Sequence, residues 1–174
     1  MKGRVSILTL LAFLLMSCAV YAVPTHITVK VKTKDAKFIG TSMGGALVTI
    51  KNVDTGELLA KGVTQGSTGN TKLIMKSDWK RGVPISTGAA EFKATIDIDE
   101  PTLIEVSAYG PLAQRQSANK VTVTQWVVPG KDIVEGDALM VEVPGLVVDV
   151  LSPPTHTKYK GATEVVIAAN VAMM

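Results

Sequence analysis

An alternation of apolar and polar residues with a period of two runs through this chain, most clearly in residues 45–71. There, Ala46, Val48 and Ile50 share one face, which is typical of a β-strand with one buried side. Gly56 can supply the positive φ of the tight turn that follows. We therefore predict a strand, a turn and a return strand in this part of the chain.

The same alternation recurs in further segments separated by Gly, Pro and Asp turn signals, and none has a convincing helical period. Residues 26–34 place Lys30 and Lys32 opposite an apolar face, which favours an edge strand with solvated lysines. Residues 76–89 show no periodicity and are predicted to be a loop. Many short strands with turns between them predict an all-β fold, an antiparallel β-sandwich. The other predicted strands are 58–64, 71–75, 90–98, 103–109, 120–128, 138–143, 146–151 and 164–174.

The first 22 residues have the three parts of a secretory signal peptide. Lys2 and Arg4 are followed by an apolar run, residues 5–16, that is too short to span a bilayer. Small residues then precede a cut after Ala22. We therefore expect export, to a periplasmic or extracellular location, and a mature chain that starts at Val23.

Residues 15–18, Leu-Met-Ser-Cys, offer an alternative to a soluble product because they look like a bacterial lipobox. In that case Cys18 would be acylated and would anchor the protein to a membrane. If the cut instead falls after Ala22, the mature chain has no cysteine, and disulfides and zinc–thiolate sites are excluded.

The charge balance gives no reason to expect nucleic acid as a partner. The whole chain has 18 basic and 15 acidic residues, but Lys2 and Arg4 belong to the predicted signal peptide. The remainder is nearly neutral and has no basic stripe with interleaved aromatic residues. We therefore expect other proteins or envelope components as partners.

A loose motif runs through residues 45–69. It comprises Gly45, Ala46, Val48, Ile50, Thr55, Gly56, Leu58, Ala60, Thr64 and Gly69. This motif resembles the carboxypeptidase-regulatory-like and transthyretin-like modules, which are seven-stranded sandwiches of secreted and surface proteins. The resemblance implies an immunoglobulin-like/transthyretin-like sandwich that serves in scaffolding, adhesion or spacing. It ends after Gly69, where the sequence departs from the pattern.

A second resemblance lies near the C-terminus. Residues 146–153, Lys160-Gly161 and residues 165–169 look like the first two strands of a bacterial immunoglobulin-like domain. We therefore assign residues 23–145 to one sandwich domain. Residues 146–174 either complete that sandwich or begin a truncated second domain. Their nearly uncharged last strand is a possible site of self-association.

Two tryptophans are candidate ligand platforms. Trp79 lies beside Lys80 and Arg81 in the predicted loop, and Trp126 lies on a predicted strand. Indole rings stack well on ligands and on cations. The alternative is that Trp79 folds down and closes one end of the sandwich.

The sequence gives weaker signals for a catalytic site or a metal site. His26 and His156 are not joined by any motif spacing, so we predict that the protein is not an enzyme. The turn containing Asp97, Asp99 and Glu100 offers oxygen ligands of the kind that Ca²⁺ prefers, and residues 132–137 offer a second acidic turn. Acidic turn residues are more often only solvated.

The sequence therefore predicts a non-catalytic secreted or cell-envelope module that acts in structure, adhesion or protein–protein interaction. The alternative is an extracytoplasmic binding protein for a metal ion or for a small molecule such as a sugar. The C-terminal strand and the two tryptophans, Trp79 and Trp126, are the features on which the choice depends.

Overall fold

The computed structural model of the protein describes residues 21–161 and 164–173. The predicted signal peptide, with Cys18, lies outside the described residues except for Tyr21 and Ala22. The described part has nine strands and one short α-helix, α1 (Thr71–Met75). The strands are β1 (Val23–Thr33), β2 (Leu47–Asn52), β3 (Leu58–Val63), β4 (Phe92–Ile98), β5 (Thr102–Gly110), β6 (Asn119–Val127), β7 (Leu139–Val143), β8 (Leu146–Ser152) and β9 (Ala168–Met173).

Seven of these strands form two sheets that pack face to face. One sheet has the order β4-β1-β7 and the other has the order β3-β2-β5-β6. Neighbouring strands are antiparallel, apart from β1 and β7, which pair in parallel from Val29 opposite Leu139 to Thr33 opposite Val143. The predicted all-β sandwich is confirmed.

The core lies between the two sheets and is made of the alternating apolar positions. Ile27, Val29 and Val31 of β1 are fully buried against Val48 and Ile50 of β2, among residues of the other strands. Burying a Val or Ile side chain stabilises the fold by about 1.5–3 kcal/mol, so this layer is the main source of stability.

The predicted turn between β2 and β3 has the expected backbone. Gly56 has a φ of 73°, and its N–H donates to the carbonyl oxygen of Asn52 at 2.9 Å. The Asn52 side chain accepts N–H bonds from Asp54 and Thr55. The turn is therefore fixed by its own local hydrogen bonds.

The prediction that β1 is an edge strand with solvated lysines is wrong. This strand is the central strand of its sheet and not an edge. Lys30 is 7% exposed and Lys32 is 2% exposed, although both lie on the face that points away from the core. A second layer of chain covers that face, and the alternation within β1 carries no information about this layer.

The covering layer is residues 65–91, which we call the cover loop. Its ends are held together because Gln65 and Glu91 exchange two backbone hydrogen bonds of 3.0 Å. Inside it, Asn70 caps the first turn of α1 by accepting N–H bonds from Lys72 and Leu73. The sequence predicts a strand at residues 71–75 and no helix, and that prediction is wrong. Within the described residues no helix has the length and apolar character needed to cross a bilayer.

A small apolar cluster fixes the cover loop to the sandwich. Ile74, Ile85 and Ala89 of the loop pack with Phe38, and all four side chains are buried. The Asp137 carboxylate also accepts N–H bonds from Ile85 and Ser86 at 2.9 and 2.8 Å. The loop therefore holds its side chains in fixed positions over the sheet.

Strands β8 and β9 form a separate two-stranded antiparallel sheet. The hairpin touches the sandwich at its start, where Val147 is buried in the main core cluster. The Ser117 hydroxyl donates to the carbonyl oxygen of Val148 at 2.6 Å, and Gln116 accepts an N–H bond from Val150. Whether residues 146–174 belong to the first domain or begin another stays a prediction.

Candidate functional site

The outer face of the three-stranded sheet carries an ion pair beneath the cover loop. Lys32 on β1 and Glu142 on β7 are directly opposite in the parallel register, and Lys32 Nζ lies 3.2 Å from Glu142 Oε2. Lys32 Nζ also donates to the carbonyl oxygen of Thr33 at 2.9 Å. The ammonium group is therefore partnered although its side chain is almost fully buried.

Trp79 of the cover loop lies beside this ion pair. Lys32 Nζ is 5.2 Å from the centroid of the indole ring, within the range of a cation–π contact. The indole Nε1–H donates to the carbonyl oxygen of Ile74 at 3.1 Å, which fixes the orientation of the ring. Trp79 is nevertheless 55% exposed, so it does not act as a buried plug of the sandwich.

These residues surround an open cleft of about 400 Å³. Its lining combines an aromatic ring and apolar side chains with two lysines and two carboxylates. We call it the Trp79 cleft. Its lining residues are Lys32, Lys34, Asp35, Ala36, Ile74, Met75, Trp79 and Glu142.

The other predicted ligand-binding residues lie elsewhere. Lys80 and Arg81 follow Trp79 in the cover loop and are exposed, but they do not line the cleft. Trp126 is on β6, opposite Leu103 of β5, and is 57% exposed. A ligand role for Lys80, Arg81 and Trp126 stays a prediction.

A second buried lysine anchors the other end of the cover loop. Lys30 Nζ donates to the Ser86 hydroxyl at 2.7 Å and lies 3.8 Å from Glu91 Oε2. Glu91 also pairs with Lys93 at 3.1 Å. These contacts connect the loop to β1 and β4, and we assign them to holding the loop in place.

The predicted calcium ligands are exposed acidic residues. Asp97 is on β4, and Asp99 and Glu100 are in the turn before β5. Among residues 21–161 and 164–173, no group of three or more His, Cys, Asp or Glu side chains is placed to hold a metal ion. This geometry gives the calcium prediction no support, and it stays a prediction.

Two carboxylates of the second acidic turn, residues 132–137, accept hydrogen bonds from other parts of the chain. Asp137 accepts the two N–H bonds of the cover loop, and Asp132 Oδ1 accepts the N–H of His26 at 2.8 Å. The His26 ring itself is 2.9 Å from the Thr95 hydroxyl. These groups therefore join segments that are far apart in the sequence.

Sequence reasoning identified Trp79 but missed Lys32 and Glu142. The two charged residues are 110 positions apart, and no local motif connects them. The parallel pairing of β1 and β7 brings them together, so only the register could have placed them in one site.

No family model, no curated protein and no solved structure matches this chain.

Proposed function

We propose that this protein is a non-catalytic β-sandwich module of the cell envelope or exterior that acts in structure, adhesion or protein–protein interaction, including contacts between its own copies. The observation that carries the proposal is the β8–β9 hairpin, whose apolar side chains are largely exposed. Within the described residues β9 pairs only with β8. Its other edge has no strand partner among these residues, and we propose that a strand of another chain pairs there.

Exposed apolar surface on such a hairpin favours association with a partner. A two-stranded sheet by itself is at best marginally stable in water. Here Leu151 of β8 and Val171 of β9 are more than half exposed, as are Val166 and Ile167 in the connection before β9. Residues 165–173 carry no charge. An uncharged open edge is a template for strand addition by another chain. We expect the occupant to be a β-strand of a second copy.

Export is part of the proposal. β1 begins at Val23, the first residue after the predicted cut, so removal of residues 1–22 would leave the strand complete. Acylation at Cys18 would instead leave residues 19–22 between the lipid and β1. We propose a soluble periplasmic or extracellular product, and lipid anchoring would place the same sandwich close to a membrane.

The fold is compatible with a scaffolding role of the kind that the sequence resemblance implies. The two packed sheets contain seven strands, which is the number in carboxypeptidase-regulatory-like and transthyretin-like modules. The resemblance supports a module of this type without giving it an active site, because a fold by itself does not determine function.

The test is the oligomeric state of the chain produced from Met1 and purified as it is processed. We expect a concentration-dependent dimer in size-exclusion chromatography with light scattering. Val171→Lys, which puts a charge on the exposed strand, should restore the monomer. Val53→Lys is the matched control, because Val53 is an exposed valine in the turn after β2. A monomer at all concentrations, or a dimer that Val171→Lys leaves unchanged, would remove the support for this function.

A second candidate is an extracytoplasmic binding protein for a small molecule. The specific observation in its favour is the Trp79 cleft, in which a half-exposed indole is fixed beside the pair of buried Lys32 and half-exposed Glu142. Binding sites commonly combine an apolar surface with a few polar groups of fixed orientation. Trp79-dependent binding of any small molecule would support this candidate.

A further inference from the structure

The Trp79 indole is a preorganised platform. Its N–H is bonded to the carbonyl oxygen of Ile74, and Ile74 is itself buried in the cluster that fixes the cover loop. A ring held in this way loses little conformational entropy when a ligand stacks on it. Trp79 is nevertheless more than half exposed, so a ligand can reach the platform.

The polar groups around the platform are balanced in charge. Lys32 and Lys34 supply cations, and Asp35 and Glu142 supply carboxylates. An anionic ligand would meet two carboxylates, and a cationic ligand would meet two ammonium groups. A neutral ligand that both donates and accepts hydrogen bonds avoids both repulsions.

Lys34 supplies donors that such a ligand can reach, because it is exposed and lines the cleft. Lys32 is almost fully buried, and its ammonium group serves the Thr33 carbonyl, Glu142 and the indole ring. Glu142 is about half exposed and has a second carboxylate oxygen that can accept a bond. The cleft therefore presents accessible donors and an acceptor next to an apolar plane.

We propose that the Trp79 cleft binds a neutral saccharide. A pyranose ring has an apolar C–H face that can lie on the indole, and its hydroxyl groups both donate and accept hydrogen bonds. The cleft volume of about 400 Å³ is in the range of small-ligand sites. This inference rests on the second candidate function, small-molecule binding, and names the class of ligand.

The test uses the chain produced from Met1, with Trp126→Phe so that Trp79 is the remaining tryptophan. The probes are neutral gluco-, xylo-, manno-, galacto- and chito-oligosaccharides. Acidic oligogalacturonates and a panel of small aromatic acids and amines form the comparison arms. We expect at least one neutral oligosaccharide to change Trp79 fluorescence in a saturable way, and no such change from the acidic probe.

Calorimetry on variants then locates the site. Trp79→Ala should weaken saccharide binding about tenfold or more, since it removes the apolar plane. Glu142→Gln should weaken it by less. Trp126→Ala is the matched control, because Trp126 is equally exposed but lies outside the cleft. The affinity of this variant for the saccharide should not change. Trp79→Phe, which keeps a ring in the cover loop, should bind with intermediate affinity and shows that any loss is not caused by unfolding.

The outcomes distinguish the saccharide assignment from small-molecule binding in general. If only acidic or aromatic probes bind in a Trp79-dependent way, the saccharide assignment is overturned while small-molecule binding stands. If no probe changes Trp79 fluorescence, both are overturned. Saccharide binding that survives Trp79→Ala would place the site elsewhere and overturn the inference.

Discussion

Lys32 and Glu142 occupy directly opposite positions of the parallel strands β1 and β7, with Lys32 Nζ 3.2 Å from Glu142 Oε2. Lysine is almost never fully buried unless it is paired, and Lys32 is 2% exposed. The pair explains how a lysine is tolerated beneath the cover loop. It also links the stability of the three-stranded sheet to the candidate ligand site.

Removing the acidic partner should destabilise the fold. Glu142→Ala leaves Lys32 buried with a lost charge partner, and we expect a loss of about 1–3 kcal/mol in the free energy of unfolding. Lys32→Met, which removes the buried charge but keeps an unbranched chain, should cost less. Denaturant unfolding measures both, with exposed Glu57→Ala as the control. Equal stability of Glu142→Ala and Glu57→Ala would mean that the ion pair contributes nothing.

The sequence predicted the sandwich because alternation reports which side chains share a face. For β1 this was enough to place Ile27, Val29 and Val31 in the core. Alternation does not report whether the opposite face is solvated. That depends on residues 65–91, whose ends pair only in the folded chain. The prediction of solvated lysines on β1 failed for this reason.

The helix and the site were missed for related reasons. Five residues of α1 are too few to show a helical period, and the available signal was Asn70, whose side chain caps the helix. Trp79 was identified because it lies beside Lys80 and Arg81 in a segment without periodicity. Its contact with Lys32 depends on how the cover loop lies over β1, and the Lys32–Glu142 pair depends on strand register. No local motif in this sequence encodes either.

The Asp137 carboxylate should be important for docking the cover loop. It accepts N–H bonds from Ile85 and Ser86, and Asp137→Ala would leave both donors without this partner. We expect a loss of about 1–3 kcal/mol and faster proteolysis between residues 76 and 89. Asp99→Ala, in an exposed turn, is the control and should be close to neutral. Unchanged proteolysis of Asp137→Ala would contradict the assignment of Asp137 as an anchor.

A substitution at Gly56 tests the effect of backbone conformation without a steric clash. Its φ is 73°, and a Cβ added there would meet no heavy atom within 4 Å. Gly56→Val should therefore cost on the order of 1–2 kcal/mol through the backbone alone. Gly56→Asn should cost less, since Asn tolerates this region. Thermal unfolding of the two variants distinguishes them, and an unchanged melting temperature for Gly56→Val would mean that the turn is wrongly assigned.

Trp79 and Trp126 form a matched pair for stability, because they are 55% and 57% exposed. Trp79 has in addition the hydrogen bond to Ile74 and the contact with Lys32. Trp79→Ala should therefore lower the free energy of unfolding by about 1 kcal/mol more than Trp126→Ala does. Both rings should be accessible to acrylamide quenching. A protected Trp79 whose removal costs about 3–5 kcal/mol would instead identify it as a core residue.

The C-terminal hairpin decides the domain boundary. Both sandwich sheets are complete within residues 23–143, and β8–β9 is a separate sheet that contacts them through Val147, Ser117 and Gln116. We therefore expect residues 23–145 to fold cooperatively, with a stability lower by about 1–3 kcal/mol because the buried Val147 side chain is lost. Val147→Ala in the longer chain should reproduce part of this loss. Circular dichroism during urea unfolding of residues 23–145 and 23–174 measures the difference. If residues 23–145 are unfolded, the hairpin completes the first domain, and residues 146–174 do not begin a second one.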